Sequence, residues 1–497
     1  MTANDAISTM TFQGATRRST VRHTFDRTTL NLIPIWTHRK VHLVNDRFFS
    51  RAAKPDAKSS NKRVGAAIVV GTTLEYFDFY LYASMAALVI GPTFFPSDNS
   101  VASAMAGLAS FGVGFLARPF AGLVFGIMGD KFGRKTVLSW SLILMGTSSG
   151  LMGLLPSHAS IGVAAPILLV VLRIIQGVGA GAEFSSAISM SYEHANKGRL
   201  GRFGSLPTLG VNLGVFTSSL AVAGLSLIGN DFFYSWGWRI PFVASFGLTI
   251  AGYIIRRKLP ESPEFTSMPT QETRRSWFRV LADLFKSDRK GLVIVLVTYA
   301  GYSLVATLWK TFSISYLAEF HDVTGAVSSF GVTLASLIAI LWTPLCGRLC
   351  DAVPVQRILA IGGVLVIVYS FPFFWLLDTA TSIWIWVALI IGTGILAPML
   401  SVASNPFMAR QFATNTRATG LGVGKEASGA AAAGFAPVMA LALVSSSGSS
   451  SPTGVSVMFA VGGMMFLIAA WRGRAAAPSI GNPVVRHASA GARETSD

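Results

Sequence analysis

The sequence predicts an all-α membrane protein with 12 transmembrane helices in two six-helix pseudo-repeats. Three observations lead there. The 497 residues have a mean hydropathy of +0.55, with 52% hydrophobic and 13% charged side chains, too little polar surface to cover a soluble globule. Twelve apolar stretches, each of about 20 residues, match the hydrocarbon thickness at the helical rise, and none shows the period-two alternation of a barrel strand. The loops between them alternate in charge. One side carries Asp98, His158, Asp231, Glu319, His321, Asp322 and Asp378, with Arg239 its only strong cation. The other carries Lys131, Arg134, Lys135, Lys197, Arg199, Arg202, the run from Arg256 to Lys290, Arg348, Arg357, Arg410 and Arg417. Short loops with Lys or Arg resist translocation, so the alternation sets the number of spans and puts both termini in the cytoplasm.

The elements follow in order. Residues 1–62 form a basic cytoplasmic tail with no apolar region long enough for a signal peptide. A disordered tail drawn to anionic lipid and a misassigned translation start are preferred there to a transit peptide. A first six-helix bundle, 63–256, holds spans near 64–90, 102–128, 137–155, 163–192, 203–228 and 239–256. The cytoplasmic central loop, 257–290, mixes Pro260, Pro263 and Pro269 with Trp277, Phe278, Leu281, Leu284 and Phe285 at helical spacing, an amphipathic helix for the membrane surface. A second bundle, 291–472, holds spans near 291–318, 324–349, 357–377, 382–408, 418–444 and 453–471, and residues 473–497 form a cytoplasmic tail. Glycines four apart, such as Gly122 with Gly126, Gly146 with Gly150 and Gly210 with Gly214, let helix backbones approach closely in lipid.

Charges inside the spans point to function. Glu75, Asp78, Arg118, Arg173, Glu183, Lys310, Lys425 and Glu426 would each cost about 2.5 to 3.5 kcal/mol on a lipid-facing helix. They must therefore face an internal cavity or one another. A charged translocation pathway and a set of structural salt bridges both satisfy that requirement. Glu75 and Asp78, three apart, project from one face of the first helix, and two carboxylates so close repel, which makes one of them a candidate proton carrier. Arg118 and Arg173 can each hold a carboxylate through two parallel donors. Glu183 lies ten residues beyond Arg173, roughly 15 Å along the helix, so each needs a partner on another element. Lys425 and Glu426 are adjacent, and adjacent helical residues do not face each other, so at least one must find a partner elsewhere. The candidates for proton coupling are Glu75, Asp78, Arg173 and Glu183. Those for substrate binding are Tyr76, Arg118, Arg173, Lys310, Lys425 and Glu426. Tyr80, Tyr299, Tyr302 and Trp309 can line the same pocket or serve packing and the lipid interface.

The inner turn after the second span contains Gly126, Asp130, Lys131, Gly133, Arg134 and Lys135, and the fourth span contains Arg173, Gly177, Gly179 and Gly181. Both resemble motifs of the major facilitator superfamily. A degenerate copy of the turn, Gly347, Arg348, Asp351 and Arg357, recurs in the second half. The pieces Glu75-Tyr76-Phe77-Asp78-Phe79-Tyr80, Gly114-Phe115-Leu116-Ala117-Arg118-Pro119, Arg173-Ile174-Ile175-Gln176-Gly177, Gly237-Trp238-Arg239-Ile240-Pro241-Phe242 and Glu261-Ser262-Pro263-Glu264-Phe265 are similar to the metabolite:proton symporters. That resemblance implies a monomeric carrier of the bacterial inner membrane, importing a small organic acid or related metabolite with protons by alternating access. It also implies gating by Gly126, Asp130, Gly133 and Arg134. Lys425 and Glu426 depart from the polar uncharged pair usual there, and Thr208 stands where Gln is common; both loosen the choice of substrate.

Other classes fit less well. The net charge of +17 sits in short loops and tails, which argues against nucleic acid as a partner. No cofactor or metal is expected: Gly177, Gly179 and Gly181 lie inside an apolar helix with no preceding strand, and Cys346 and Cys350 read as small packing residues. The alternatives kept are an exporter of the same fold working by proton antiport, although residues 205–216 lack the usual exporter motif, and a nutrient sensor that does not transport. A membrane enzyme ranks below both, because no nucleophile, base and orienter fall together.

Overall fold

The computed structural model describes residues 57–132, 134–181, 183–195, 198–257, 284–286, 288–412, 416–446 and 451–473, with side chains from 64 onward except 122–138, 255–257 and 418. The N-terminal tail, most of the central loop and the C-terminal tail lie outside the described residues. So do Gly133 and the side chains of Asp130 and Arg134.

Every regular element among the described residues is helical. Ten segments are long and apolar enough to cross a membrane. They include α1 (Val64–Phe94), α4 (Ala164–Glu193), α5 (Leu200–Ser226), α7 (Arg289–Phe320), α8 (Gly325–Ala352), α9 (Val355–Leu377), α10 (Ser382–Ala409) and α12 (Thr453–Arg472). The other two are α2, a helix over Ser100–Phe132, and α11, apolar over Thr419–Ser446. With α3 (Arg134–Leu154) and α6 (Arg239–Arg257) they make twelve. Several run past their apolar stretches, α8 as far as Ala352, because a helix can extend into the polar interface where hydropathy no longer marks it.

The packing repeats with a shift of six. Helix α1 packs on α5 as α7 does on α11, α3 on α6 as α9 does on α12, and α2 on α4 as α8 does on α10. Two further pairings, α5 with α8 and α2 with α11, join the halves. Glycines permit the tightest crossings. A Cβ at Gly210 would lie 2.7 Å from Thr72 Cβ, and one at Gly214 would lie 2.6 Å from the Thr73 carbonyl oxygen, so this pair seats α5 on α1.

Helix ends gather on two faces, as the loop charges require. On the basic face the start of α5 meets the end of α8, and the end of α4 meets the start of α11. On the acidic face Ser100 donates to Glu319 at 2.9 Å, and Tyr316 donates to Asp378 at 2.6 Å. Arg239, the cation that breaks the charge rule there, donates to the carbonyls of Gly153 and Leu155 at 2.9 and 2.6 Å and caps the last turn of α3.

Hydropathy gave no sign of π-helical turns within the spans. They interrupt α1 at Ala86–Ile90, α7 at Leu308–Phe312 and α10 at Ile390–Leu396. Such turns free backbone groups inside a helix and recur at functional sites. The turns in α7 and α10 face each other, with the Trp309 ring against Gly392.

Candidate functional site

Where α1, α2 and α11 meet, four charged side chains form one continuous chain across the two halves. Arg118 Nη2 of α2 donates to Glu75 Oε1 of α1 at 2.7 Å, and its Nη1 lies 3.9 Å from Glu426 Oε2 of α11. Glu426 Oε1 in turn accepts from Lys425 Nζ at 2.9 Å. All four are buried, Glu75 and Lys425 at 0% exposure. Glu75 Oε2 has no hydrogen-bond partner among the described residues, so half of that carboxyl stands ready for a proton or a donor brought by a ligand.

Aromatic rings sheathe both cations. The Arg118 guanidinium lies 5.0 Å from the Phe79 ring and 5.2 Å from Phe115, and Lys425 Nζ lies 4.2 Å from Phe184 and 5.0 Å from Tyr299. Tyr76 packs on Phe184 at 5.4 Å between centroids, and Tyr299 on Tyr302 at 5.9 Å. Glu183, buried on α4 beside Phe184, is within electrostatic reach of Glu75. Buried together, these charges interact more strongly than they would in bulk water.

Asp78 and Arg173 belong to a second network, wholly within the first six helices. Asp78 Oδ1 accepts from Ser245 Oγ of α6, and Ser149 of α3 also bonds the carboxyl. Gln176 Nε2 donates to Ser149 Oγ at 2.6 Å, and Arg173 Nη1 donates to Gln176 Oε1. Arg173 further donates to the Phe111 carbonyl at 2.8 Å and stacks on Tyr82 at 3.9 Å. The three-residue spacing on α1 therefore sends Glu75 and Asp78 to different partners instead of bringing them together. The glycine run after Arg173 serves packing: a Cβ at Gly177 would lie 2.1 Å from the Gly114 carbonyl oxygen. A cavity of about 10 Å³, room for about one water, separates the Arg118 and Arg173 networks. Lys310 stands apart from both, buried in the π turn of α7 with no ion-pair or hydrogen-bond partner among the described residues.

Several contacts join the halves across the described part of the basic face. Asp351 accepts from the backbone N–H of Gly201 at 2.6 Å and pairs with Arg202 at 3.3 Å. Arg417 pairs with Glu193 at 3.8 Å and lies over the Tyr192 ring at 4.6 Å. Deeper in, Asn405 donates to the Gly204 carbonyl at 2.8 Å, and Thr208 and Ser401 share a hydrogen bond of 2.8 Å. On the acidic face a vestibule of about 490 Å³ opens between the halves, lined by Asn99, Val101, Ala102, Met105, Phe320, Ser445 and Ser446. Among the described residues the halves thus touch across the basic face and leave a vestibule between them at the acidic face.

The structure brings together Glu75, Tyr76, Arg118, Lys425 and Glu426, with Glu183 beside them. It leaves Asp78, Arg173 and Lys310 elsewhere. Of the expected gating residues, Gly126 and Asp130 fall within α2 and Arg134 opens α3, but their side chains and all of Gly133 lie outside the described residues. Sequence reasoning missed the contacts made by Glu193, Arg202 and Arg417, although Asp351 carried a signal as part of the repeated turn. It also missed Ser149 and Ser245, whose only mark was a polar group inside an apolar span, and gave Gln176 no role although it stands in the piece that begins with Arg173.

A paired-repeat helical fold with a buried charge chain bridging its halves defines a secondary transporter. Residues 68–437 match the Major Facilitator Superfamily, and the chain belongs to that family. It is 31% identical over 388 residues to the shikimate transporter of Escherichia coli K12, covering 78% of this chain and 88% of that one. It is also 31% identical over 386 residues to the inner membrane metabolite transport protein YhjE of the same strain, covering 77% and 88%. A structure of the xylose transporter XylE from E. coli, in a partially occluded inward open conformation, superposes with a TM-score of 0.62 at 16% identity, over 83% of this chain and 96% of that one. This protein is a multi-pass membrane transporter of metabolites, related to the metabolite:proton symporters, and not an enzyme.

Proposed function

We propose that this protein is a proton-coupled symporter that imports a small organic acid across the bacterial inner membrane by alternating access. The observation that carries the reading is Arg118 held between Glu75 and Glu426, acids contributed by opposite halves. Glu75, Arg118, Glu426 and Lys425 sum to zero charge. A substrate carboxylate that takes Arg118 must displace one of the acids and leaves the buried chain at a net charge of minus one. A proton taken up by the displaced acid restores neutrality, which in a dry site outweighs most other terms. Proton and anion therefore enter together.

In this reading Arg118 and Lys425 hold the substrate anion, Tyr76 lines the pocket, and Glu75, Glu426 and Glu183 exchange protons. Asp78 and Arg173 act one layer behind, holding α1, α3, α4 and α6 in a fixed arrangement through which a change of protonation is felt. The basic face is cytoplasmic, with both termini there, and the acidic face is periplasmic. Two bundles, 63–256 and 291–472, move against each other as a monomer in the membrane, and the turn carrying Gly126, Asp130, Gly133 and Arg134 acts with the Asp351 and Arg417 contacts as the inner gate. The vestibule on the acidic face and the contacts across the basic face support an outward-facing state in this reading.

The energetics bear on stoichiometry. One proton with a monoanion is electrically neutral and draws only on the pH gradient, about 1.4 kcal/mol per unit. A second proton adds roughly 2.3 kcal/mol per 100 mV of membrane potential. The reading is tested with purified protein in liposomes, by uptake of a panel of labelled organic acids with and without a protonophore. Uphill accumulation of at least one acid that collapses with the protonophore supports it. Accumulation driven only by the opposite pH gradient would mean export.

A further inference from the structure

We propose that the facing π turns of α7 and α10 form a second anion site, with Lys310 its charge, where a carboxylate pauses between the vestibule and Arg118. The inference deepens the proposed import of an organic anion and rests on it for the identity of the passenger.

Among the described residues Lys310 has no acid partner, unlike Arg118 and Lys425, which both have carboxylate partners. Lys310 is only 7% exposed, and its ammonium, not fully shut off from open space, has neither counter-ion nor hydrogen bond among the described residues, so an anion that reaches it supplies both. It is also not alone. The indole N–H of Trp309, on the same turn, and the hydroxyl of Thr393, on the facing turn of α10, are both buried without partners among the described residues. Two packed turns thus hold one cation and two further groups able to donate, and offer them no acceptor. An anion supplies acceptors to all three types of group.

The position fits a station on a path. Lys310 lies eleven residues beyond Tyr299, whose ring touches Lys425, and three helical turns bring it back to nearly the same face of α7. The separation is about 16 Å along the axis, too far for one small acid to span. In the other direction Phe320, at the vestibule, lies ten residues on, about 15 Å away. Helix α11 borders the same turn and itself runs from Lys425 to Ser445 at the vestibule. The site stands midway between the opening and the central chain, and its lone charge, with no acid of its own to displace, binds and releases an anion without moving a proton.

The test is crystals of the full-length protein soaked in iodide, with anomalous scattering locating the ion. The expected result is a peak in contact with Lys310 Nζ in the wild type, retained in Lys310→Arg and lost in Lys310→Met. Absence of the peak in the wild type, or a peak that persists in Lys310→Met, overturns the proposal; the second outcome marks an adventitious ion only. If Lys310→Met does not fold, Lys310→Gln takes its place. No gradient or transport enters this measurement, so its failure is separate from any failure of proton coupling. In liposomes, Lys310→Met is further expected to raise the KM for uptake from the vestibule side about tenfold, with the proton-to-substrate ratio unchanged; an unchanged KM would also count against the site.

Discussion

Lys425 and Glu426, consecutive on α11, form an ion pair of 2.9 Å. Neighbours on a helix diverge by about 100°, so the contact exists only because the long lysine chain folds back across the turn, steered by Phe184 and Tyr299. The consequence lies with Arg118. Glu426 has one oxygen committed to Lys425, and its other reaches Arg118 only at 3.9 Å, against 2.7 Å for Glu75. The link between the halves is thus the weaker of the two contacts at Arg118, and the one an arriving carboxylate displaces first.

Glu426→Gln removes that link and the counter-ion of Lys425 while keeping the shape. Uphill uptake is expected to fall at least tenfold, with exchange of labelled for unlabelled substrate across liposomes largely retained, because exchange needs no net proton movement. Parallel assays of counterflow and gradient-driven uptake check this.

Arg118→Lys keeps the charge and loses the planar fork that holds two acids at once. Transport is expected to drop by one to two orders of magnitude, equivalent to about 1.4 to 2.8 kcal/mol, with little change in thermal stability. Arg173→Lys should do the reverse. It loses the bond to the Phe111 carbonyl and the contact with Gln176, so melting should drop by an amount equivalent to about 2 to 3 kcal/mol. Melting curves and initial rates on both variants separate the roles.

Asp78→Asn retains a hydrogen-bond partner for Ser245 but removes the charge. Because Asp78 acts through the arrangement of α1, α3 and α6 and not by exchanging a proton, uphill uptake is expected to slow with the proton-to-substrate ratio unchanged. An unchanged rate would remove Asp78 from the mechanism, and a changed ratio would make it a proton carrier.

At the basic face, Asp351→Asn weakens contacts with Arg202 and the Gly201 N–H. Arg202 is half exposed, so the pair contributes at most about 1 kcal/mol, a shift of up to roughly fivefold toward the state open on that face. The protein carries its own reporter. Cys350 Cβ would lie 2.7 Å from a Cβ at Gly201, so its thiol is covered by the same contact between α5 and α8. Maleimide labelling of Cys350 should rise about two- to fivefold in Asp351→Asn, in proportion to that shift.

Much of this architecture was legible in the sequence, because lipid leaves the backbone no choice but helices and loop charges report the side of the membrane. The six-by-six repeat, a close helix approach at Gly210 and Gly214, and the burial of eight charges follow from those constraints; that the approach is to α1 does not. Which charges meet did not follow. Glu75 and Asp78 look equivalent in sequence, but their directions differ by about 60° around the helix, enough to hand one to Arg118 and the other to serines. Arg173 looks like a substrate ligand until its backbone carbonyl partners on α2 are seen, and carbonyl groups leave no mark in a sequence. The π turns were invisible for the same reason: one extra residue in a helical turn changes backbone bonding, not hydropathy.

Competition between substrate and acid for Arg118 reads out as proton movement in de-energised liposomes. An acid that the protein transports is added outside, and a trapped pH dye reports the lumen. The account predicts acidification of the lumen in step with substrate entry, abolished in Glu426→Gln although substrate still exchanges. Substrate entry through the wild type with no proton following, or with protons leaving, would contradict it.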